Sequence, residues 1–513
     1  MSDQSLVDRV LEIAKRRGFF WPSFEIYGGL AGFVDYGHYG VLLKRRIVDV
    51  WRDFFVRPYG FLECETPLIM PRRVFEASGH LDSFVDTLTE CPSCHKRWRA
   101  DELVEEQLGM KDVERLTLDQ LRELYQKREV RCPACGARLL PPRYFVTMFR
   151  TFVGAEEGSE AYAKPEHAQG IFINFRRFFE IARRRMPFAV AQIGTVARNE
   201  ISPRRGLVRL REFWIMELEF FHFPELHPCP YLAEVSDVKL PLLTVPQRER
   251  GEERPSLITP QDAVEKGLIV NTWLAYFMAV GVRFLQYLGV PLDRQRFVEK
   301  LPEERAFYSQ QTFDQVVDTE RWGSIEVAGY SYRSDYDLRR HSEFAKTSME
   351  VTISTPKGVR RGVPHVVEPS FGVDRVVYVT LEYAIRKKNG RVILALPRRV
   401  APIHAHVLPL VSKNGLPEKA QEVYRLLLRA GFEVEYDESG RIGRRYVRAD
   451  EIGTPLCITI DYQTLEDNTV TLRDRDTWEQ VRVPIDRLPN SIRRFIYEDV
   501  PLHSLGEPVK TIK

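Results

Sequence analysis

Along the 513 residues the spacing of apolar positions changes several times, and each change marks an element. Between Gly40 and Val56 they fall at Leu43, Ile47, Val50, Trp51 and Phe54, which is one stripe of a helix. Lys44, Arg45, Arg46, Arg52 and Asp53 occupy the rest of its circumference, so the helix covers a sheet or a partner subunit. Gly60-Phe61-Leu62 opens a strand-like stretch towards Pro67, and Gln192 to Phe223 reads as a hairpin of long strands turning near Pro203 to Gly206. Side chains alternate along a strand. On the returning strand Trp214, Met216, Leu218 and Phe220 share one face, which makes the strand central and its other face, with Glu217 and Glu219, buried. Buried carboxylates cost several kcal/mol unless a partner or ligand offsets them.

Pro224 to about Arg321 is poor in strand signals and reads as a mainly helical insertion. Its segment Val270 to Val290 approaches the length of a membrane span, but Asn271, Thr272, Arg283 and Gln286 interrupt it, so a buried helix is expected and no membrane contact. Strands resume near Ser324 to Tyr332, Ser348 to Ser354 and His365 to Ser370. Beyond a boundary near Leu394 to Pro402, strands at 403–410, 433–436 and 456–461 alternate with a helix at 418–429, as in an α/β domain.

Lysine and arginine number 75 against 72 aspartates and glutamates, so any nucleic-acid surface is a local patch. Seven cysteines and no apolar leader fit a reducing cytoplasm. Four of them, Cys91, Cys94, Cys132 and Cys135, form two C-x-x-C knuckles, a spacing that closes a tetrahedron around a structural zinc ion. The gap between the knuckles is wide, and Asp101 to Lys127 fills it as a helical excursion.

Charged residues cluster on the strands. Arg198 and Glu200 share a side, as do Arg209, Arg211, Phe213 and Glu217 on the returning strand. That face is cationic, then aromatic, then anionic. Guanidinium groups fork onto phosphate oxygens, a ring stacks on a purine, and a carboxylate holds an ammonium group. Glu368 and Ser370 point one way from a strand, and Gly372 then opens a helix. Its N-terminus favours anions; Arg375 in the first turn either meets a terminal phosphate or pairs with Asp374 or Glu382. Lys164 to Gly170 adds Glu166 just before an apolar helix, 171–181, where His167 reads as a structural hydrogen-bonding residue. The whole suits a nucleotide lying beside an amino acid.

These clusters, together with Phe24-Glu25-Ile26-Tyr27-Gly28-Gly29, Glu76-Ala77-Ser78-Gly79-His80, Arg198-Asn199-Glu200-Ile201-Ser202-Pro203-Arg204, Asp335-Tyr336-Asp337-Leu338 and Gly440-Arg441-Ile442-Gly443-Arg444-Arg445-Tyr446, resemble class II aminoacyl-tRNA synthetases, and among them the dimeric, single-chain glycyl-tRNA synthetases. The resemblance runs from about residue 8 to 500. It implies an α+β fold: an antiparallel sheet flanked by helices over residues 1–395, interrupted by the zinc-knuckle insertion at 87–142 and the mainly helical one at 224–321. A C-terminal α/β anticodon-binding domain occupies 396–513.

It implies a cytoplasmic homodimer that uses ATP with Mg2+, glycine and tRNA-Gly. Arg198 would hold the α-phosphate, Glu200 the adenine amino group and Phe213 its ring. Arg209 or Arg211 would reach the bent-back phosphates and Arg375 the γ-phosphate, with Asn199, Glu326, Val327 and Gly372 near the nucleotide. Glycine would sit among Glu166, Glu217, Glu368 and Ser370, with Arg99 reaching in. Arg441, Arg444, Arg445 and Arg448 could line a phosphate-contacting surface or be solvated. Departures from the family pattern are Lys164 for arginine, His167 for threonine, Ile215 for glutamine and Ala197 for an aromatic. The competing readings are a catalytically inactive, synthetase-like nucleic-acid-binding accessory protein, and a synthetase for threonine or proline.

Overall fold

Nine strands make the central sheet: β1 (Leu62–Cys64), β2 (Phe188–Ala197), β3 (Glu212–His222), β4 (Leu240–Leu243), β5 (Ser256–Ile258), β6 (Gln295–Glu299), β7 (Gln311–Thr319), β8 (Gly323–Ser334) and β9 (His365–Gly372). Their spatial order is β5-β4-β6-β7-β8-β9-β3-β2-β1, antiparallel except where β2 meets β1 and β4 meets β6. This computed structural model describes residues 8–509 apart from 111, 112, 114, 115, 156, 157, 204, 205 and 357. Arg204 of the motif quoted above, and with it part of the expected turn, lies outside the described residues.

The segment 224–321 corrects the reading of a mainly helical insertion, because it supplies β4, β5, β6 and β7 to the main sheet. Its strands carry inward polar residues that satisfy one another. Gln315 Nε2 donates to Gln295 Oε1 at 3.0 Å, Tyr330 OH donates to Gln315 Oε1 at 2.8 Å, and Gln311 Nε2 donates to the Leu268 carbonyl at 2.8 Å. A hydrophobic period is thereby masked.

Three helices, α1 (His38–Phe55), α2 (Thr272–Tyr287) and α3 (Val373–Ala384), pack on the sheet face that carries Met216, Leu218, Phe220, Val367 and Phe371. The Phe371 ring lies 5.2 Å from Phe55, 5.4 Å from Phe284 and 5.8 Å from Tyr330 between centroids. Twelve of the 16 residues of α2 are buried, which accounts for its composition, and Asn271 Oδ1 caps it by accepting from Trp273 N and Leu274 N. Among the described residues no helix is long and apolar enough to cross a membrane. On the other face, the expected helix 171–181 is two short ones, Ala168–Phe172 and Phe175–Ile181, which cover only part of the sheet and leave a cleft.

The knuckle segment folds as a three-stranded sheet (Val85–Glu90, Arg97–Arg99, Arg143–Val146) with helices Ala100–Leu108 and Leu118–Lys127 between the cysteine pairs. Thr117 and Gln120 close a capping box at the second helix. The C-terminal body has its own core around a six-stranded sheet, with Ala405–Pro409 between Val434–Tyr436 and Leu456–Ile460 in parallel, followed by antiparallel strands. Tyr39, Arg46 and Asp53, seven residues apart on α1, meet it at Glu435, His404 and Arg399.

Phe371→Ala should remove a ring at the centre of this packing. An apparent destabilisation of about 3–5 kcal/mol is expected, read as a fall in the thermal unfolding temperature of the sheet-bearing body.

Candidate active site

The floor of the cleft is made by β8, β9 and β3, the middle of the sheet. In β9, Val367 and Phe371 face α2, so Glu368 and Ser370 face the cleft. Register places Glu217 opposite Ser370 and Ser331 opposite Glu368. In β8 the register slips twice, beside Gln315/Val316 and again between Tyr332 and Ser334. Such bulges re-aim side chains. The first lets both Glu326 and Gly329 line the cleft although an unbroken strand would send them to opposite faces; the second leaves Arg333 unpaired in the ladder.

The cationic end gathers Arg198, Arg209 and Arg375 with Glu200, Phe213 and Glu326. The Arg198 guanidinium stands 5.5 Å from the Phe213 ring centroid and 5.2 Å from that of Phe84, and its Nε donates to the Pro165 carbonyl at 3.3 Å. Arg209 pairs with Glu200 at 2.9 Å and with Glu102 at 2.7 Å. Arg375 pairs with neither Asp374 nor Glu382. It donates to the carbonyls of Val208 at 3.0 Å and Glu326 at 2.8 Å and lies 3.4 Å from the Glu326 carboxylate. The Glu326 side chain is 47% exposed, and although the cleft walls partly desolvate it, Arg375, Lys300 and Arg198 together hold its carboxyl below the ordinary range. Asp374 instead accepts from Trp214 N at 2.8 Å and from Tyr36 OH.

The anionic end is organised by Arg333, whose side chain is fully buried. It binds Asp337 at 2.8 Å, Glu368 at 2.9 Å and Glu166 at 3.4 Å, and its guanidinium lies 3.6 Å from the Tyr308 ring centroid. Burial pushes the Glu166 carboxyl up, yet Arg333 and His80 outweigh it and hold the group well below the usual range. Glu217 Oε2 accepts from the backbone N–H groups of His167 at 2.6 Å and Ala168 at 3.0 Å. Desolvation and the neighbouring Glu166 nevertheless raise its pKa, as desolvation does more strongly for Glu368. Among the described residues Glu219 has no hydrogen-bond partner at either oxygen, and burial raises it well above the carboxylate range. Of the departures, Lys164 is buried, donates to Thr66 O at 2.8 Å and is pushed down to about 8 by desolvation. His167 keeps its ring 3.3 Å from the Gly194 carbonyl, and burial lowers it to about 3.

The four knuckle cysteines come together. Sγ atoms of Cys91 and Cys135 are 3.5 Å apart and those of Cys94 and Cys132 are 3.6 Å apart, with all four within 4.8 Å. A tetrahedral zinc ion with Zn–S bonds of about 2.3 Å requires sulfurs ~3.8 Å apart, so the donor set fits.

Twelve of the expected residues line the cleft: Glu166, Arg198, Glu200, Arg209, Phe213, Glu217, Glu326, Val327, Glu368, Ser370, Gly372 and Arg375. Three do not. Arg99 is held by Asp101 and lies 3.8 Å from Asp86, in a neighbouring hollow beside Arg198 and Arg209, away from the carboxylates it was expected to join. Arg211 donates to the carbonyls of Glu200 and Ala31, because β3 starts only at Glu212 and frees it from strand alternation. Asn199 is tied through its backbone N–H to the Thr147 carbonyl. In the C-terminal body Arg445 is neither solvated nor on a contact surface; it is buried and donates to the carbonyls of Pro409, Glu438 and Gly440. Residues missed are Arg333, Tyr308 and Ser331. The signal for Arg333 was its i,i+4 spacing from Asp337.

Over 96% of this chain and 76% of that one, the fold matches a crystal structure of prolyl-tRNA synthetase from Cryptosporidium parvum in complex with L-proline and AMP, at a TM-score of 0.55 and 13% identity. Residues 404–495 match the anticodon binding domain family. A central antiparallel sheet joined to such a domain defines the architecture as that of a class II aminoacyl-tRNA synthetase. The sequence is 48% identical to the glycine–tRNA ligase of Aeropyrum pernix, over 99% of this chain and all of that one. It is 42% identical to that of Thermococcus sibiricus (95% and 98% covered) and 40% identical to that of Methanocaldococcus jannaschii (97% and 100%). The chain belongs to the glycine–tRNA ligase family.

Arg333→Met should strand three buried acids and cost about 3–5 kcal/mol of stability at neutral pH. Glu166 has a depressed pKa in the folded state, so its stabilisation is present above its unfolded value of ~4.3 and is lost as pH falls below that. Denaturation curves of wild type and variant should therefore converge in acid; an equal gap at pH 3 and pH 7 would contradict the ion-pair account.

Proposed function

We propose that this cleft joins glycine to ATP, releasing pyrophosphate, and that the glycyl group then passes from glycyl-adenylate to the terminal ribose hydroxyl of tRNA-Gly with release of AMP. The observation that carries this reading is the union, in one cleft of a glycine–tRNA ligase family member, of a guanidinium-rich end and a carboxylate-rich end. The accessory-protein alternative is disfavoured by the presence of Arg198, Glu200, Phe213 and Arg375 together.

In this reading the glycine carboxylate attacks the α-phosphorus in line, and the protein supplies positioning and charge stabilisation, with no nucleophile of its own. Arg198, beside the Phe84 and Phe213 rings, holds the α-phosphate and the attacking carboxylate; Phe213 stacks on adenine and Glu200 accepts from its amino group. Arg209 and Arg375 take the outer phosphates. Glu326 would hold Mg2+, which neutralises phosphate charge when bound. The glycine ammonium sits with Glu217, Glu368 and Ser370, while Glu166 is held in place by Arg333.

The four cysteines would hold a structural zinc ion that fixes the knuckle segment, residues 87–142, beside the cleft. Residues 1–395 serve catalysis, and 396–513 bind the anticodon stem. The reading includes a homodimer in the cytoplasm.

Two measurements test it. ATP–pyrophosphate exchange should depend on glycine, and Glu217→Gln should lower kcat/KM for glycine roughly 10- to 150-fold, the equivalent of about 1.5–3 kcal/mol for a charged hydrogen bond, while leaving KM for ATP near wild type. Exchange driven better by alanine, threonine or proline would overturn the substrate. Cys132→Ser should reduce zinc from about one equivalent per chain to a small fraction; unchanged zinc would remove the knuckles as ligands.

A further inference from the structure

Glu219 has no role in the reaction described above. It lies two residues beyond Glu217 on β3, on the same face, with no exposed surface and with neither oxygen hydrogen-bonded among the described residues. A carboxylate oxygen of each of Glu217, Glu219 and Glu368 falls within one sphere of contacts no wider than 4.8 Å. Glu217 and Glu368 line the amino-acid end of the cleft, and Glu219 lies behind them, outside its lining.

The surrounding charges do not balance. From its own strand Glu219 meets Glu217, from β9 Glu368, from β8 Arg333, and from the segment ahead of the Ala168–Phe172 helix Glu166. Behind these stand Asp337 and His341 of the Tyr336–Ala345 helix, with His80 and Tyr308 beside Glu166 and Arg333, and Lys164 facing Glu217. The β2 residue opposite Glu219 is Val190, which offers no charge. Arg333 is already committed to Asp337, Glu368 and Glu166, Lys164 donates to Thr66, and burial keeps His341 neutral at about 4.

Like charges in a desolvated cluster cannot all ionise. Glu217 has two backbone N–H donors and Glu368 a direct pair with Arg333; Glu219 accepts no hydrogen bond among the described residues, and the one charge that favours its anion, Arg333, is already shared by three other acids.

We propose that Glu219 is a positioning residue of the amino-acid pocket, carrying a proton while the pocket is empty and giving it up to solvent when an ammonium group enters beside Glu217 and Glu368. The inference rests on the placement of glycine under Proposed function. The incoming cation replaces the proton as the balancing charge, and the Glu219 anion then strengthens the field that holds the ammonium group. Because the proton is bound only in the empty state, glycine binding strengthens as pH rises, by up to roughly tenfold per pH unit where one proton is released per glycine.

The test is calorimetric titration of the intact protein with glycine between pH 6 and 8, in two buffers of different protonation enthalpy. Wild type should release roughly 0.5–1 proton per glycine, and Glu219→Gln should release almost none, with an affinity flat in pH. Zero release in wild type overturns the inference without recourse to any variant, and so does undiminished release in a folded Glu219→Gln. Glu217→Gln is the control for the pocket: unchanged glycine affinity there overturns the pocket placement and this inference with it. Collapsed affinity in Glu217→Gln, beside undiminished release in Glu219→Gln, overturns this inference alone.

Discussion

One guanidinium holds the acidic half of the cleft together. Arg333 is fully enclosed and joins acids from three separate elements: Glu166 from the segment ahead of a short helix, Glu368 from the neighbouring strand and Asp337 from the helix that follows. Its aromatic cover, Tyr308 at 3.6 Å and Phe172 at 5.1 Å, excludes the water that would otherwise screen these pairs. Burying such a group is expensive unless every donor is used, and here the fork geometry of arginine, which lysine lacks, permits three carboxylates to be reached at once. The β-bulge at Arg333 supplies the freedom from ladder pairing that this multiple engagement needs.

The same arrangement gives the cleft its polarity. At the nucleotide end two of the three arginines are held partly by main-chain carbonyls, Arg375 by those of Val208 and Glu326 and Arg198 by that of Pro165, while Arg209 pairs with Glu200 and Glu102. The carbonyls are neutral acceptors, so a phosphate competes with them more easily than with a buried carboxylate. At the other end acids outnumber cations, and the shortfall is met by raised carboxyl pKa values at Glu217, Glu219 and Glu368, with desolvation the leading cause in each. A ligand whose phosphates point one way and whose ammonium group points the other lies along this gradient.

Much of this was legible from spacing. Alternation alone put Glu217 and Glu219 on a buried face and Glu368 with Ser370 on one side, because β3 and β9 are regular over those residues. It failed where regularity ends. Arg209 and Arg211 precede β3, so period two did not apply and only Arg209 reached the cleft. The strand pattern of β8 ends at Tyr332, whereas the strand runs to Ser334 through a bulge, so Arg333 lies where period two gives no signal. Strands β4 and β5 are too short, at four and three residues, to show a period, while β6 and β7 are hidden from a polarity scale because their inward residues Gln295 and Gln315 hydrogen-bond to each other. Arg445 was misplaced for the same reason: three backbone carbonyls replace water around it.

The helix α1 shows how a polar stripe can be buried work and not solvation. Tyr39, Arg46 and Asp53 recur every seven residues, close enough to two helical turns to keep one face, and each finds a partner in or just before the C-terminal body. From another side of α1, Lys44 lies 4.3 Å above the Tyr36 ring and 4.2 Å above that of Trp214. Its charge faces Asp374, the residue preceding Arg375. A third, apolar side, through Ile47, Trp51 and Phe55, meets the core of the sheet. Three faces engaged by three different chemistries leave α1 little freedom to rotate or slide, since any shift that preserves one set of contacts breaks another. The orientation of the C-terminal body and the setting of the Gly372–Arg375 turn are therefore fixed by a single rigid element.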